Sequence, residues 1–412
     1  MQVIKQIKTR WVLLLACVVL CHLCHIAGAA AQPVIDAGEL TCSTREAPRP
    51  LSVHSPCPEL QRLAQKLFGL HGAYTLSPEL QATWMVHLEK VSPQGVQVWV
   101  ETPRSGGRAT VLNAQFSAKT WEQAALKACD AVVEKTLGLR GFFATELVFV
   151  GQRPKGPKEV YLGDILFLNV RQLTHDRSDP VMPHASADGR QLLYTSYFQT
   201  GFPDIFVIDM VTGVRKPFAS YSGVNTGGVF SPRGDAVAMV LSSVGQPEVY
   251  VSDMRGKNLR RLTRIKSLKA SPSWTLDGEH LVYVSDELGG PQLYQIHRSG
   301  GTPRRLPTHL SRYCVEPRCS PTHLHQVAFT AAVAKGFQIA LYDAQAGTAR
   351  WVTQGAAHAI EPCWMPDGRH LVFTQRVGNE RRLALVDTVS GKRTLLSPSD
   401  FGQASMASVL AR

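Results

Sequence analysis

An all-β six-bladed β-propeller preceded by a small α/β domain is the fold that this sequence predicts. Three observations carry the prediction. A stretch of the form turn, Asp-Gly, alternating strand recurs at a fixed period. Each period holds enough alternating segments for four strands. The residues before about position 140 follow a helical pattern instead.

The repeat is read first. Aligned copies are "HASADGRQLLYTS" from His184, "VFSPRGDAVAMVLS" from Val229, "SWTLDGEHLVYVSD" from Ser273, "RCSPTHLHQVAFTA" from Arg318 and "CWMPDGRHLVFTQ" from Cys363. The residue opening the turn falls at Ser186, Ser231, Thr275, Ser320 and Met365, giving spacings of 45, 44, 45 and 45 residues. Such a regular period marks an array of stacked units rather than a chance hairpin. In each unit a first strand ends at a large or apolar residue, and a turn with Gly189, Gly234, Gly278 or Gly368 leads into an alternating second strand. A third strand ("DIFVIDM", "EVYVSDM", "QLYQIHR", "QIALYDA", "RLALVDT") and a short fourth one complete the four-stranded blade. Phe230, Trp274 and Trp364, at the ends of first strands, are expected to fill the space between blades.

Upstream of the five copies, "TELVFVGQ", "KEVYLGDI" and "VRQLT" supply three strands with no first strand before them. An unpaired edge there has to be covered, and the C-terminal "SMASVLAR" is the segment left to cover it, which makes a sixth blade shared by both ends of the array.

Before the array, "PELQRLAQKLFGL" and "TWEQAALKACDAVVEKTLGL" place apolar residues at helical spacing, with Thr120 and Gln123 forming an N-capping pattern. "WMVHLEKV", "VQVWVETP" and "ATVLNAQF" between them read as strands. The expected organisation is a signal peptide over 1–31, a mobile arm over 32–41, an α/β domain over 42–140 and the propeller over 141–412. The signal reading rests on Lys5, Lys8 and Arg10, the apolar run after them, and small residues up to Ala31.

Removing that leader takes away three cations and no acid, so the net charge of +12 falls to about +9. The cations are scattered and have no interleaved aromatics, which argues against a nucleic-acid platform. A composition of 44% hydrophobic and 18% charged residues excludes a disordered chain. Outside the leader stand Cys42, Cys57, Cys129, Cys314, Cys319 and Cys363; Cys42 with Cys57 is a candidate disulfide, and free thiols and further bridges stay open for the rest. No Cys-x-x-Cys pair and no zinc pattern is present, so no metal and no cofactor is expected. There is no Gly-x-Ser-x-Gly elbow, and His175, His184, His323, His325, His358 and His370 are dispersed over the blades, so the chain reads as non-catalytic.

With these residues in view, the chain resembles the TolB family, exported propeller proteins of the Tol-Pal envelope system. The resemblance rests on the blade motif, on Gly138, Arg140, Gly141, Phe143 and Thr145 at the junction "TLGLRGFFATELVFV", and on the "VIDAG" stretch near the N-terminus. It implies a periplasmic, monomeric adaptor that spans no membrane and binds no nucleic acid. It implies that a peptidoglycan-associated lipoprotein (Pal-like) is bound at the propeller mouth by Asn225, Gly227, Ser271, Glu316 and Glu361. It also implies that an inner-membrane TolA-like protein is bound by Val34, Ile35, Asp36 and Gly38 of the arm, with a role in outer-membrane integrity and envelope constriction at cell division. Carboxylates around the mouth would accept hydrogen bonds from the partner. The competing reading is an exported propeller that takes a small molecule or glycan into its channel.

Overall fold

The computed structural model describes residues 47–410. The leader, the arm and Cys42 lie outside the described residues.

The α/β domain carries five strands, β1 (Arg49–His54), β2 (Tyr74–Leu76), β3 (Trp84–Ser92), β4 (Gly95–Arg104) and β5 (Gly107–Ser117), in the order β2-β1-β3-β4-β5. β1 runs parallel to both β2 and β3, while β3, β4 and β5 form an antiparallel meander. Helices α1 (Pro58–Leu70) and α2 (Trp121–Leu137) pack on each other. α1 starts with Pro58, where a missing amide hydrogen costs nothing, and it buries Leu60, Ala64, Leu67 and Phe68 along one stripe. At α2 the Thr120 hydroxyl accepts from the Gln123 amide at 3.4 Å, and Gly138, with φ of 69°, ends the helix in the left-handed conformation. The sequence reading found both helices and β3 to β5, and it missed β1 and β2.

The propeller follows as six four-stranded sheets. Blade 1 is made of Gln403–Leu410, Glu146–Gln152, Lys158–Asp164 and Val170–Gln172 in that spatial order, so the C-terminal strand occupies its innermost position. Blades 2 to 6 begin with the strands Val181–Ala185, Asn225–Phe230, Lys269–Trp274, Cys314–Cys319 and His358–Trp364. Each of these first strands touches the first strands of both neighbouring blades, and the C-terminal strand touches those of blades 6 and 2, which closes the ring.

Phe230, Trp274 and Trp364 are buried between blades, as expected. The indole nitrogens are satisfied across the blade gap: Trp274 Nε1 donates to the Val229 carbonyl at 3.1 Å and Trp364 Nε1 to that of Arg318 at 2.9 Å. In the fourth copy the turn after Cys319 is a residue longer, closing from the Ser320 amide to the Gln326 carbonyl at 2.9 Å, and the Ser320 hydroxyl accepts from the His323 amide at 3.1 Å.

One continuous apolar core joins the α/β domain to blades 1 and 6, running from Leu67 and Val133 through Phe142 and Phe143 to Met365, Leu385 and Phe401. The junction motif explains itself here. Asp130 on α2 accepts the Phe143 and Ala144 amides at 2.7 and 2.9 Å, and a side chain at Gly141 would lie 2.3 Å from the Asp130 Cβ. Gly141 thus lets the chain cross α2 closely enough for Asp130 to fix the two phenylalanines in the core.

Candidate functional site

In every first strand the pairing with the second strand slips by one extra residue, a β-bulge repeated six times. At each bulge one residue takes the left-handed conformation: Met182, Gly227, Ser271, Glu316, Glu361 and Met406, with φ of 53°, 65°, 49°, 55°, 58° and 53°. Five of the six are not glycine, and holding each there costs about 1 kcal/mol. The next residue is Pro183, Pro272, Pro317 or Pro362 in four blades, which the bulge tolerates because its amide has no ladder partner. The bulge turns these six residues into a ring on the innermost strands.

Four of the five residues predicted at the mouth fall on this ring or beside it as follows. Gly227 and Ser271 present backbone and a small side chain. Glu316 and Glu361 present carboxylates, and each reaches across to the next blade. Glu316 Oε2 accepts from the Thr330 hydroxyl at 2.7 Å and from the Glu361 amide at 2.8 Å. Glu361 Oε2 repeats the pattern on the Thr374 hydroxyl at 2.6 Å and the Met406 amide at 3.1 Å. The Oε1 atoms have no hydrogen bond among the described residues and are the carboxyl oxygens left to the channel. The fifth, Asn225, is fully buried, and its amide is spent on Tyr221, Pro203 and Asp204 of the surrounding turns. It holds the loop that leads into the ring rather than facing the channel. Val34, Ile35, Asp36 and Gly38 lie outside the described residues.

The electrostatics follow from this packing. Both side chains are only partly exposed. Burial first, and then the charge of Glu316, raises the Glu361 carboxyl to about 8. Burial likewise raises Glu316, against the opposing pull of the Thr330 and Glu361 hydrogen bonds and of Arg318. The acids occupy blades 5 and 6, so the mouth carries an acidic arc on one side.

Sequence reasoning placed Met182 at a blade mouth as an apolar position and missed Met406 and the supports of the ring. The period of 45 residues leads from Glu361 to Met406, yet the closing strand lacks the aromatic that marks three of the other copies. Two residues beyond the ring, side chains tie blade to blade: Ser408 Oγ accepts from the Ala185 amide at 3.3 Å, His184 Nδ1 from Phe230 at 3.3 Å and Ser273 Oγ from Cys319 at 3.0 Å. Burial, aided by Arg318, lowers His184 to about 3, so it is neutral and acts as an acceptor. Cys57, Cys129, Cys314, Cys319 and Cys363 form no disulfide among the described residues, and the pairing of Cys57 with Cys42 falls outside them. No helix among the described residues is long and apolar enough to cross a membrane.

Comparison with known proteins agrees with the fold. The Tol-Pal system protein TolB of Bordetella pertussis is 31% identical over 173 residues, which is 42% of this chain and 39% of that protein. The TolB of Bordetella parapertussis matches to the same extent. The matched stretch therefore spans well under half the length of these curated relatives. Among solved structures, TolB from Acinetobacter baumannii superposes with a TM-score of 0.78 at 22% identity, covering 89% of this chain and 97% of that one. Hydrazine synthase of Kuenenia stuttgartiensis gives a TM-score of 0.53 at 10% identity over 66% of this chain and 47% of that one. At these identities the superpositions speak for the fold alone. Residues 133–408, well over half of the chain, match the TolB beta propeller domain family (PD40), and the chain belongs to the TolB family.

Proposed function

We propose that this protein is the non-catalytic, periplasmic TolB component of a Tol-Pal envelope system, holding a peptidoglycan-associated lipoprotein at the propeller mouth. The observation that carries this reading is the ring of six left-handed bulge residues on the innermost strands, two of them carboxylates with one oxygen each left to the channel. A left-handed bulge maintained in all six blades fixes the shape of a mouth, while carboxyl oxygens on one side give a partner's polar groups something to bind. The arm with Val34, Ile35, Asp36 and Gly38 would engage a TolA-like inner-membrane protein.

The test is calorimetric titration of the mature chain with the soluble domain of a peptidoglycan-associated lipoprotein. Ser271→Arg, which puts a long cation at the ring, is expected to weaken binding at least tenfold. Deletion of Gln32 to Leu40 is expected to spare that binding and to abolish capture of a TolA-like domain. A lipoprotein that binds native and Ser271→Arg chains equally would refute the mouth as its site.

A further inference from the structure

A second polar cluster lies away from the channel, where the α/β domain meets blade 6. It joins His71, the residue that ends α1, to Asp367 and His370 in the turn "PDGRH" of the fifth copy. One ligating atom from each of the three lies within 4.8 Å of the other two. All three are withdrawn from solvent, with 0%, 3% and 0% of their surface exposed.

The repeat itself supplies a comparison. In two other copies the turn-opening hydroxyl occupies the turn aspartate: Ser186 Oγ donates to Asp188 and Thr275 Oγ1 to Asp277, each at 2.6 Å. Met365 stands at that position in the fifth copy, so no hydroxyl is there to donate. The Asp367 carboxylate instead meets His370 Nδ1 at 2.5 Å. The fourth blade also has an Asp-x-x-His turn, Asp277 to His280, but there the histidine is only partly buried and packs on His297. Only in blade 6 does the α/β domain bring a second imidazole onto such a turn, with the His71 and His370 rings edge to face at 4.5 Å.

Three features point to a cation. His71 Nε2 is buried and has no hydrogen-bond partner among the described residues. Asp367 has no Lys or Arg in ion-pair reach among those residues, since Arg369 is bound to Asp387 at 2.9 Å; its Oδ1 accepts the Arg369 and His370 amides at 3.0 Å each, and the one charged-group partner of its Oδ2 is His370. A cleft of about 370 Å³, lined in part by Arg49, Asp367, Arg369 and Thr388, gives a way in from outside.

We propose that His71, Asp367 and His370 form a binding site for a divalent metal ion of the zinc class that ties the α/β domain to blade 6. Two imidazoles and a carboxylate are a common ligand set for such an ion, with the fourth position left to water from the cleft. Binding exchanges the Asp367–His370 hydrogen bond, and the long bonds from the Gly72 amide to His370 Nε2 at 3.3 Å and from the Ala73 amide to His71 Nδ1 at 3.2 Å, for metal bonds. Metal–ligand bonds of about 2.0–2.2 Å draw the most distant ligand atoms together by roughly 1 Å, within reach of side-chain rotation. The sequence shows no zinc pattern because the ligands come from two domains at opposite ends of the chain.

The experiment is zinc uptake by the folded, chelator-stripped mature chain, measured by equilibrium dialysis with elemental analysis. One equivalent is expected, with affinity at least tenfold weaker in His71→Gln and in Asp367→Asn, and with a melting temperature that zinc raises in the native chain alone. Cobalt(II) added to the unmutated chain supplies a readout that does not depend on the variants folding: the visible absorption of a nitrogen- and oxygen-ligated, low-coordinate ion is expected. No zinc uptake, unchanged affinity in both folded variants, or a cobalt spectrum with thiolate charge-transfer bands would each overturn the proposal.

Discussion

Replacing Glu361 by Gln should make the protein more stable at about pH 8 than the native chain and flatten its dependence of stability on pH. The Glu361 carboxyl is raised from the ordinary 4.5 to about 8, by burial first and by Glu316 second. Between those values the folded chain holds a proton that the unfolded chain has released. The stability linked to this group is therefore fully present below about 4.5 and is lost as pH rises through about 8. One carboxyl changes stability by at most about 1.4 kcal/mol per pH unit, so the ceiling between about pH 5 and pH 8 is roughly 4 kcal/mol. Water in the channel and titration shared with Glu316 bring the expected difference to about 2 kcal/mol. A glutamine keeps the geometry, because its amide oxygen can accept the Thr374 hydroxyl and the Met406 amide where Glu361 Oε2 now does. The assay is urea unfolding of both proteins at the two pH values, comparing midpoints at constant slope. Midpoints that shift in parallel with pH in native and Glu361→Gln proteins would refute the assigned burial.

Three further outcomes follow from packing. Gly141→Ala should lower stability by about 2 kcal/mol or more, read as a fall in melting temperature, because its Cβ would lie 2.3 Å from the Asp130 Cβ. Trp364→Phe should cost about 1–2 kcal/mol in urea unfolding, since it leaves the Arg318 carbonyl without its 2.9 Å indole bond and thins the contact between blades. Removing Gln403 to Arg412 strips the innermost strand from blade 1, and the truncated chain is expected to lose its cooperative thermal transition by circular dichroism; a transition at the native temperature would contradict ring closure by that strand.

The blades were readable from the sequence because each one is a local unit whose turn glycine and alternating second strand recur at a nearly constant spacing. The same spacing led to Gly227, Ser271, Glu316 and Glu361, and the structure finds all four at the bulge. What spacing could not supply was the partner of each side chain. Asn225 looked like a polar group at a mouth, yet it is buried in turn contacts four residues away or less and in contacts to the preceding blade. Glu316 and Glu361 looked like free acceptors, yet half of each carboxylate is committed to the next blade's backbone. β1 and β2 escaped notice because "RPLSVH" and "YTL" are too short to show a period, and their pairing with distant strands is parallel. His71 and His370 were visible only as scattered histidines, since their meeting depends on how α1 packs against blade 6.

The backbone of the mouth repeats six times, and its chemistry does not. Bulge, left-handed residue and inter-blade contact recur in every first strand, so a channel of fixed shape is a property of the array. The side chains then divide it: two methionines on blades 1 and 2, glycine and serine on blades 3 and 4, two acids on blades 5 and 6. The second-strand residue paired next to each bulge divides differently, with Thr330 and Thr374 behind the acids, Thr195 behind Met182 on blade 2, and Val240, Val284 and Val150 on blades 3, 4 and 1. Behind the acids the hydroxyls of Thr330 and Thr374 hold the carboxyls, while Thr195 Oγ1 meets Thr226 Oγ1 of the next blade at 3.4 Å instead. A ring with near six-fold symmetry thereby presents an apolar side and an acidic side, and a ligand entering it can be held in one rotational setting. Symmetric backbone fixes position along the axis, and the asymmetric side chains fix orientation about it.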